Sequence, residues 1–267
     1  METKHWVAAA ALVGFLLAET LFPFFRQLPS LRDRIVHDLR NLVVGAVNLL
    51  LGSLAIAYGF VCLDRWIADN GFGLLQVFEL PTWLALGLAV VLLDIWTYWW
   101  HRLNHVVPLL WRLHRTHHTD TAMDVSTSVR FHTGEILLSW AARLVVVPLL
   151  GISLIQLAIY ESLLLPVVLF HHSNLRLPRW IDYGLLAVIV TPAMHRVHHS
   201  RLVEETNSNY GSLLPWWDWV FGSFRLRPDL ENIQYGLDEF SDPEWQTLVG
   251  MARTPLGQDE PITSNSE

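Results

Sequence analysis

Cysteine, lysine and charge of either sign are all scarce in this 267-residue chain. Its single cysteine, Cys62, sits inside an apolar run. That excludes an intramolecular disulfide, a cysteine-rich zinc module and a four-cysteine iron–sulfur cluster. Lys4 is the only lysine, and charged residues make up 16% of the chain against 52% hydrophobic. A soluble globular domain carries more charge than this, and the long apolar runs point to a membrane protein. The net charge of −7 comes from one end: residues 1–227 hold 17 basic and 16 acidic side chains, and residues 228–267 hold one and nine. With a near-neutral body and an acidic tail, no nucleic-acid footprint exists. What the chain has in excess is histidine, 13 in all, 11 of them between His101 and His199.

The apolar runs predict an all-α, integral membrane helical bundle. Trp6–Phe25, interrupted by Glu19, lacks a small-x-small cleavage site and reads as a first, imperfect membrane helix rather than a signal peptide. Leu42–Leu63 has the ~20 residues a span needs. Trp83–Trp100 ends in Trp96-Thr97-Tyr98-Trp99-Trp100, an interfacial aromatic belt. Ile136–Phe170 is too long for one helix and has Gly151 near its middle, so it reads as a hairpin of two spans, with Arg143 and Glu161 placed to pair across it. Ile181–Ala193 reads as a shorter interfacial or re-entrant helix, and Thr254–Glu267 as a disordered end. The expected organisation is N-terminal membrane helices over 1–82, a catalytic region over 83–225 and an acidic tail over 226–267.

Loop charges orient the chain. The segment 26–41 carries Arg26, Arg32, Arg34 and Arg40, whereas 64–82 carries only Arg65. The positive-inside rule places 26–41 in the cytoplasm. Counting spans forward brings 101–135 and 171–267 to that same side, so every dense histidine cluster is expected to share one compartment.

Three clusters stand out: His101-x-x-x-His105, His114-x-x-His117-His118 and His195-x-x-His198-His199. On a helix, positions i and i+4 lie about 40° apart and i and i+3 about 60° apart on the other side. Each H-x-x-H-H set therefore fits within roughly a 100° arc. Eight imidazoles exceed what one ion of about four to six ligands can take, so two metal ions are the economical reading. Isolated His5 and His37 read as surface residues. No H-E-x-x-H occurs, so the zincin arrangement is missing. Nitrogen-rich sites suit Zn, Cu, Fe or Ni alike. A histidine-rich metal-handling or transport protein is the alternative class, but a transporter places its ligands near the bilayer midplane. The first cluster instead follows the aromatic belt.

The motifs Asp94-x-x-x-Tyr98-Trp99-x-His101-Arg102-x-x-His105 and Leu113-His114-Arg115-x-His117-His118 resemble the fatty acid hydroxylase superfamily, also called the sterol desaturase family. So do Arg130-x-His132-x-x-Glu135, Phe170-x-His172-Ser173-Asn174, Thr191-Pro192-x-x-His195-Arg196-x-His198-His199-Ser200, Asn209-Tyr210-Gly211 and Trp217-Asp218-Trp219-x-Phe221-Gly222. The likeness runs in order over roughly residues 90–225. It implies a membrane-embedded di-iron oxygenase of a bacterial inner or endoplasmic-reticulum-like membrane. Such an enzyme uses O2 as co-substrate, and its external electrons come here from a separate donor protein, because no haem or iron–sulfur motif is present. The implied metal ligands are His101, His105, His114, His117, His118, His172, His195, His198 and His199, with two Fe per chain and His171 in the variable position. Asp94 is expected to orient a ligand imidazole, because it lies seven residues before His101 on nearly the same face and intramembrane carboxylates are functional by default. His132, Asp218 and Glu135 are expected beside the ligands. Arg102, Arg115 and Arg196 are candidates to meet lipid headgroups or the donor.

Overall fold

The computed structural model of the protein describes residues 2–257, apart from the side chains of 2–8 and 53–57, so that His5 falls outside it. Helices α1 (Glu2–Leu21), α2 (Leu31–Asn70), α3 (Thr82–Val106), α5 (Thr133–Leu150) and α6 (Leu154–His172) form the bundle. Short α4 (Pro108–His118), α7 (Arg179–Leu185), α8 (Pro192–His198), α9 (Val203–Thr206), α10 (Trp216–Val220) and α11 (Leu248–Arg253) gather at one end of it. Among the described residues β-structure is limited to two isolated bridges, Pro23 with Leu175 and Ser200 with Tyr235.

Among the described residues four stretches are long and apolar enough to cross a membrane: Leu31–Gly52, Thr82–Val106, Thr133–Leu150 and Leu154–His172, with a shorter apolar helix over Ala9–Leu21. The 26–41 segment, expected as a loop, is largely helical. Ser30 caps α2 by accepting from the Asp33 amide, and the helix continues for 40 residues, about 60 Å against the ~30 Å of a hydrocarbon core. Its surplus length projects at the histidine end. His37 and Asn41 bond to Asp120, and Asn48 bonds to the Phe131 carbonyl and accepts from Thr133. From there α2 runs beside α5 until Asp64 accepts from the Leu154 amide. The apolar window Leu31–Gly52 begins eleven residues before the expected Leu42–Leu63.

At the opposite end lies the α5–α6 turn. Gly151 (φ 71°) closes α5, and Gly73 (φ 105°) approaches it so closely that a Cβ there would overlap the Gly151 backbone. Gln76 donates to the Gly151 carbonyl at 2.8 Å. The expected hairpin is therefore present, and Arg143 pairs with Glu161 across it at 3.5 Å. The apolar core joins Phe60, Ala89, Leu93, Val147, Tyr160 and Leu164 from four helices. Glu19, which interrupts the first apolar run, is fully buried at the histidine end. It accepts from the amides of Val125 and Asn174 and from Arg34, tying α1 to the loops around the site.

Two expectations change. The 181–193 helix is shorter than its apolar run: α7 stops at Leu185 and the chain turns into α8. The stretch expected to be disordered from Thr254 is folded through Gly257, because buried Arg115 donates to the carbonyls of Thr254 and Gly257 at 2.8 Å each. Residues 258–267 lie outside the described residues.

Candidate metal centre

The nine histidines picked out by motif converge. His101, His105, His114, His118 and His198 form one set, and His117, His172, His195 and His199 a second; within each set, one nitrogen per ring lies within 4.8 Å of the others. The sets adjoin, with the rings of His117 and His118 4.5 and 4.6 Å from that of His199. The paired motifs of α4 and α8 are shared in a crossed way. In the first, His114 and His118 enter one set and His117 the other; in the second, His195 and His199 enter the second set and His198 the first. The i and i+4 rings lie on one side of each helix and the i+3 ring on the other, as helical spacing requires.

The geometry fits metal ions. In the second set Nε2–Nε2 separations are 3.1 Å (His117–His172), 3.0 Å (His172–His195) and 3.2 Å (His195–His199), and in the first His114–His118 is 3.3 Å. Metal–nitrogen bonds of about 2.0–2.1 Å put neighbouring ligands about 3–3.4 Å apart at right-angled to tetrahedral corners. Nitrogens that could face an ion and lack a partner include both of His105 and Nε2 of His198. Such groups are costly unless something binds them.

The second nitrogen of four rings is fixed by oxygen, which leaves Nε2 with its lone pair toward the cluster. His101 Nδ1 meets the Tyr210 carbonyl at 2.9 Å, His114 the Glu135 carboxylate at 2.8 Å, His172 the Val168 carbonyl at 2.8 Å and His198 the Ser208 carbonyl at 2.7 Å. Burial first, and then the neighbouring imidazoles, hold His117, His118, His195 and His199 well below the ordinary histidine range. Burial also takes His198 down to about 3. These rings are neutral, the state a metal requires.

Glu135 stands where the motif suggested, accepting from His114 and also from Asn104 at 3.3 Å. Asp218 acts one step further out. It accepts from the amides of Tyr210 and Gly211 at 2.8 and 2.7 Å and from Ser223 at 2.6 Å, fixing the peptide whose carbonyl holds His101. Gly211 is required there, since a Cβ would stand 2.8 Å from both Asp218 Oδ2 and the Leu214 carbonyl. Asn209, at φ 56°, takes the left-handed turn between the two orienting carbonyls, with its side chain bonded to Met194 and Arg225.

Other expectations fail for identifiable reasons. Asp94 orients no imidazole: it accepts from Tyr160 at 3.1 Å, Trp217 at 2.7 Å and the Leu214 amide at 3.2 Å. Two helical turns separate it from His101, too far for contact. His132 lies outside both sets and caps α5, accepting from the Gly134 amide and contacting the Ala252 carbonyl. His37 is no surface residue, being held between Asp38, Asp120 and Asp124 at 3.2, 2.8 and 3.3 Å. Arg115 and Arg196 face inward, the latter donating to the carbonyls of Ser173 and Leu175 over the Phe24 ring. Arg102 bonds Tyr98 and Phe221. The orienting carbonyls of Val168, Ser208 and Tyr210 went unforeseen because main-chain oxygens carry no residue signature; the Asn-x-Gly pair around Tyr210 was the available hint.

The sequence profile described as fatty acid hydroxylase matches residues 86–223, just over half of the chain and all nine histidines. The chain belongs to the fatty acid hydroxylase family. It is 33% identical over 174 residues to alkylglycerol monooxygenase of Homo sapiens, covering 61% of this chain and 35% of that one. An ornithine lipid hydroxylase of Rhizobium tropici is 32% identical over 227 residues, 83% of this chain and 66% of its own length. Methylsterol monooxygenase 2-2 of Arabidopsis thaliana is 26% identical over 228 residues, 80% and 85%. This chain thus spans only about a third of the alkylglycerol monooxygenases it matches. No solved structure matches it.

Proposed function

We propose that this fatty acid hydroxylase family member is a multi-pass membrane enzyme that uses O2 and externally supplied electrons to hydroxylate or desaturate a lipid. The substrate would be a fatty acyl chain, a sterol or a related lipid. The observation that carries the reading is the pair of adjoining sets of five and four imidazoles, all but half-buried His101 buried, at one end of the membrane helices. Two Fe ions held by them would supply the redox chemistry with O2 that oxidation of an unactivated C–H bond demands. His101, His105, His114, His118 and His198 would hold one ion, and His117, His172, His195 and His199 the other. Glu135, the Tyr210 peptide backed by Asp218, and the Val168 and Ser208 carbonyls aim four of those rings before a metal arrives. Eight of the nine are buried and His101 is half-buried, which limits bulk water at the reacting atoms.

The lipid assignment draws on the names of the relatives, which act on alkylglycerols, ornithine lipids and methylsterols. A transport role is not favoured, since the ligands gather at the end of the spans and not at mid-depth. Lipid mass spectrometry of cells with and without the protein tests the reading. A new oxygen atom or double bond in one lipid class is the expected result, and an unchanged lipidome would overturn it.

By the positive-inside rule the Arg-rich 26–41 segment supports a histidine end in the cytoplasm, where a separate electron-donor protein would meet it. Reporter fusions at Asn70 and after Gly257 are expected to report opposite sides, with the C-terminal fusion cytoplasmic. The same side for both would break the span count.

A further inference from the structure

The segment that follows the third histidine motif does not stay above the membrane helices. Leu213 is buried in the bundle core with Ala89, Leu93 and Tyr160. Asp94 holds the Leu214 amide and the Trp217 indole, and the Phe221 ring lies 4.8 Å from that of Trp99. Along α3, Asp94 stands about 18 Å from Thr82, midway along the apolar stretch Thr82–Val106, and Trp99 about 25 Å, in the aromatic belt toward its end. Residues 211–221 therefore dip into the depth of the bilayer. α7 comes with them, since Trp216 donates to the Ala187 carbonyl at 2.8 Å.

The outer face of this unit is apolar and uncovered. Trp180 is 77% exposed and Val220 68%, and Tyr183, Val188, Trp216 and Trp219 are exposed beside them. In 178–189 and 215–220 Arg179 is the only exposed charged residue. The face continues into the exposed side of α3 through Trp99. Tryptophan and tyrosine with aliphatic neighbours are the residues that settle at the boundary of headgroup and acyl chain.

We propose that α7 and residues 211–221 form a membrane-embedded rim whose outer face is covered by bilayer lipid. Asp218 faces inward from it and holds the Tyr210–Gly211 peptide, so one short segment separates lipid from the histidine that Tyr210 orients. A lipid would then reach the cluster sideways from the bilayer, without crossing water. The depth of the rim stands independently of the oxygenase reading; only the lateral route rests on it.

The test uses the full chain in phosphatidylcholine vesicles with Cys62→Ser and one nitroxide-labelled cysteine at a time. Labels introduced by Trp180→Cys and Val220→Cys are expected to collide more with O2 than with a water-soluble nickel chelate. They should match Val91→Cys on α3 and show the reverse of Glu231→Cys in the exposed tail. No activity is required, so failure of the oxygenase reading would not touch the result. Chelate access at both rim positions equal to that of Glu231→Cys would overturn the proposal and leave the face to a water-borne protein partner.

Discussion

His172→Ala is expected to abolish turnover and to weaken retention of one metal ion, while His171→Ala keeps both. The neighbours are about 100° apart around α6. His172 Nε2 lies 3.1 Å from His117 Nε2 and 3.0 Å from His195 Nε2, with Nδ1 anchored on Val168. His171 is equally buried, yet it belongs to neither set, and its ring packs edge-on against His195 at 3.9 Å between centroids. Ligand rings sharing one ion stand further apart: the other pairs in that set are 4.3–5.2 Å. Removing His171 loosens the wall behind His195, so a fall of a few-fold in turnover with full metal content is expected. Metal stoichiometry and turnover of the two variants, measured together, decide it. Loss of a metal from His171→Ala would show that the wrong neighbour carries the ion.

Asp94→Ala is expected to cost more in stability than any other single change within the spans. It strips the acceptor from the Trp217 indole and the Leu214 amide, while Tyr160 keeps Thr97 at 2.8 Å. Leaving two buried donors unpaired costs roughly 2–6 kcal/mol, a large part of the ~5–15 kcal/mol that holds a typical protein folded. Asp94→Asn, which keeps one acceptor oxygen, should fall in between. Thermal melting in detergent reads the effect, and metal content read alongside separates it from a ligand's role. An unchanged melt with lost metal would place Asp94 nearer the ions than its bonds do.

Repeated spacing was what made the site legible. Eight of the nine histidines of the two sets stand in those spacings, His172 came from the family resemblance, and the hairpin at Gly151 with its Arg143–Glu161 pair followed from length and apolarity. Periodicity tells which face a residue occupies but not which partner closes over it, and the misreadings share that cause. Asp94 was assigned to the imidazole on its own helix, whereas its partners arrive from residues more than sixty positions away in the chain. Arg115 and Arg196 looked like surface cations because nothing local shows that main-chain carbonyls will surround them. The charged start of α2 read as a loop, although Ser30-x-x-Asp33 is a helix-start signal of the kind that overrides low hydropathy.

With two ions held as proposed, the crossed sharing of the two H-x-x-H-H motifs would couple their loading. An ion on His114 and His118 would restrain α4, and with it His117 of the neighbouring set; His198 would do the same for His195 and His199 through α8. The first ion would bear what ordering the pre-aimed rings still need, and the second would bind to rings already in place. A titration of metal-free protein should be sigmoidal, with singly loaded chains scarce at half saturation. Dilution or mild chelation would then divide the population into full and empty molecules rather than lowering every molecule to one ion.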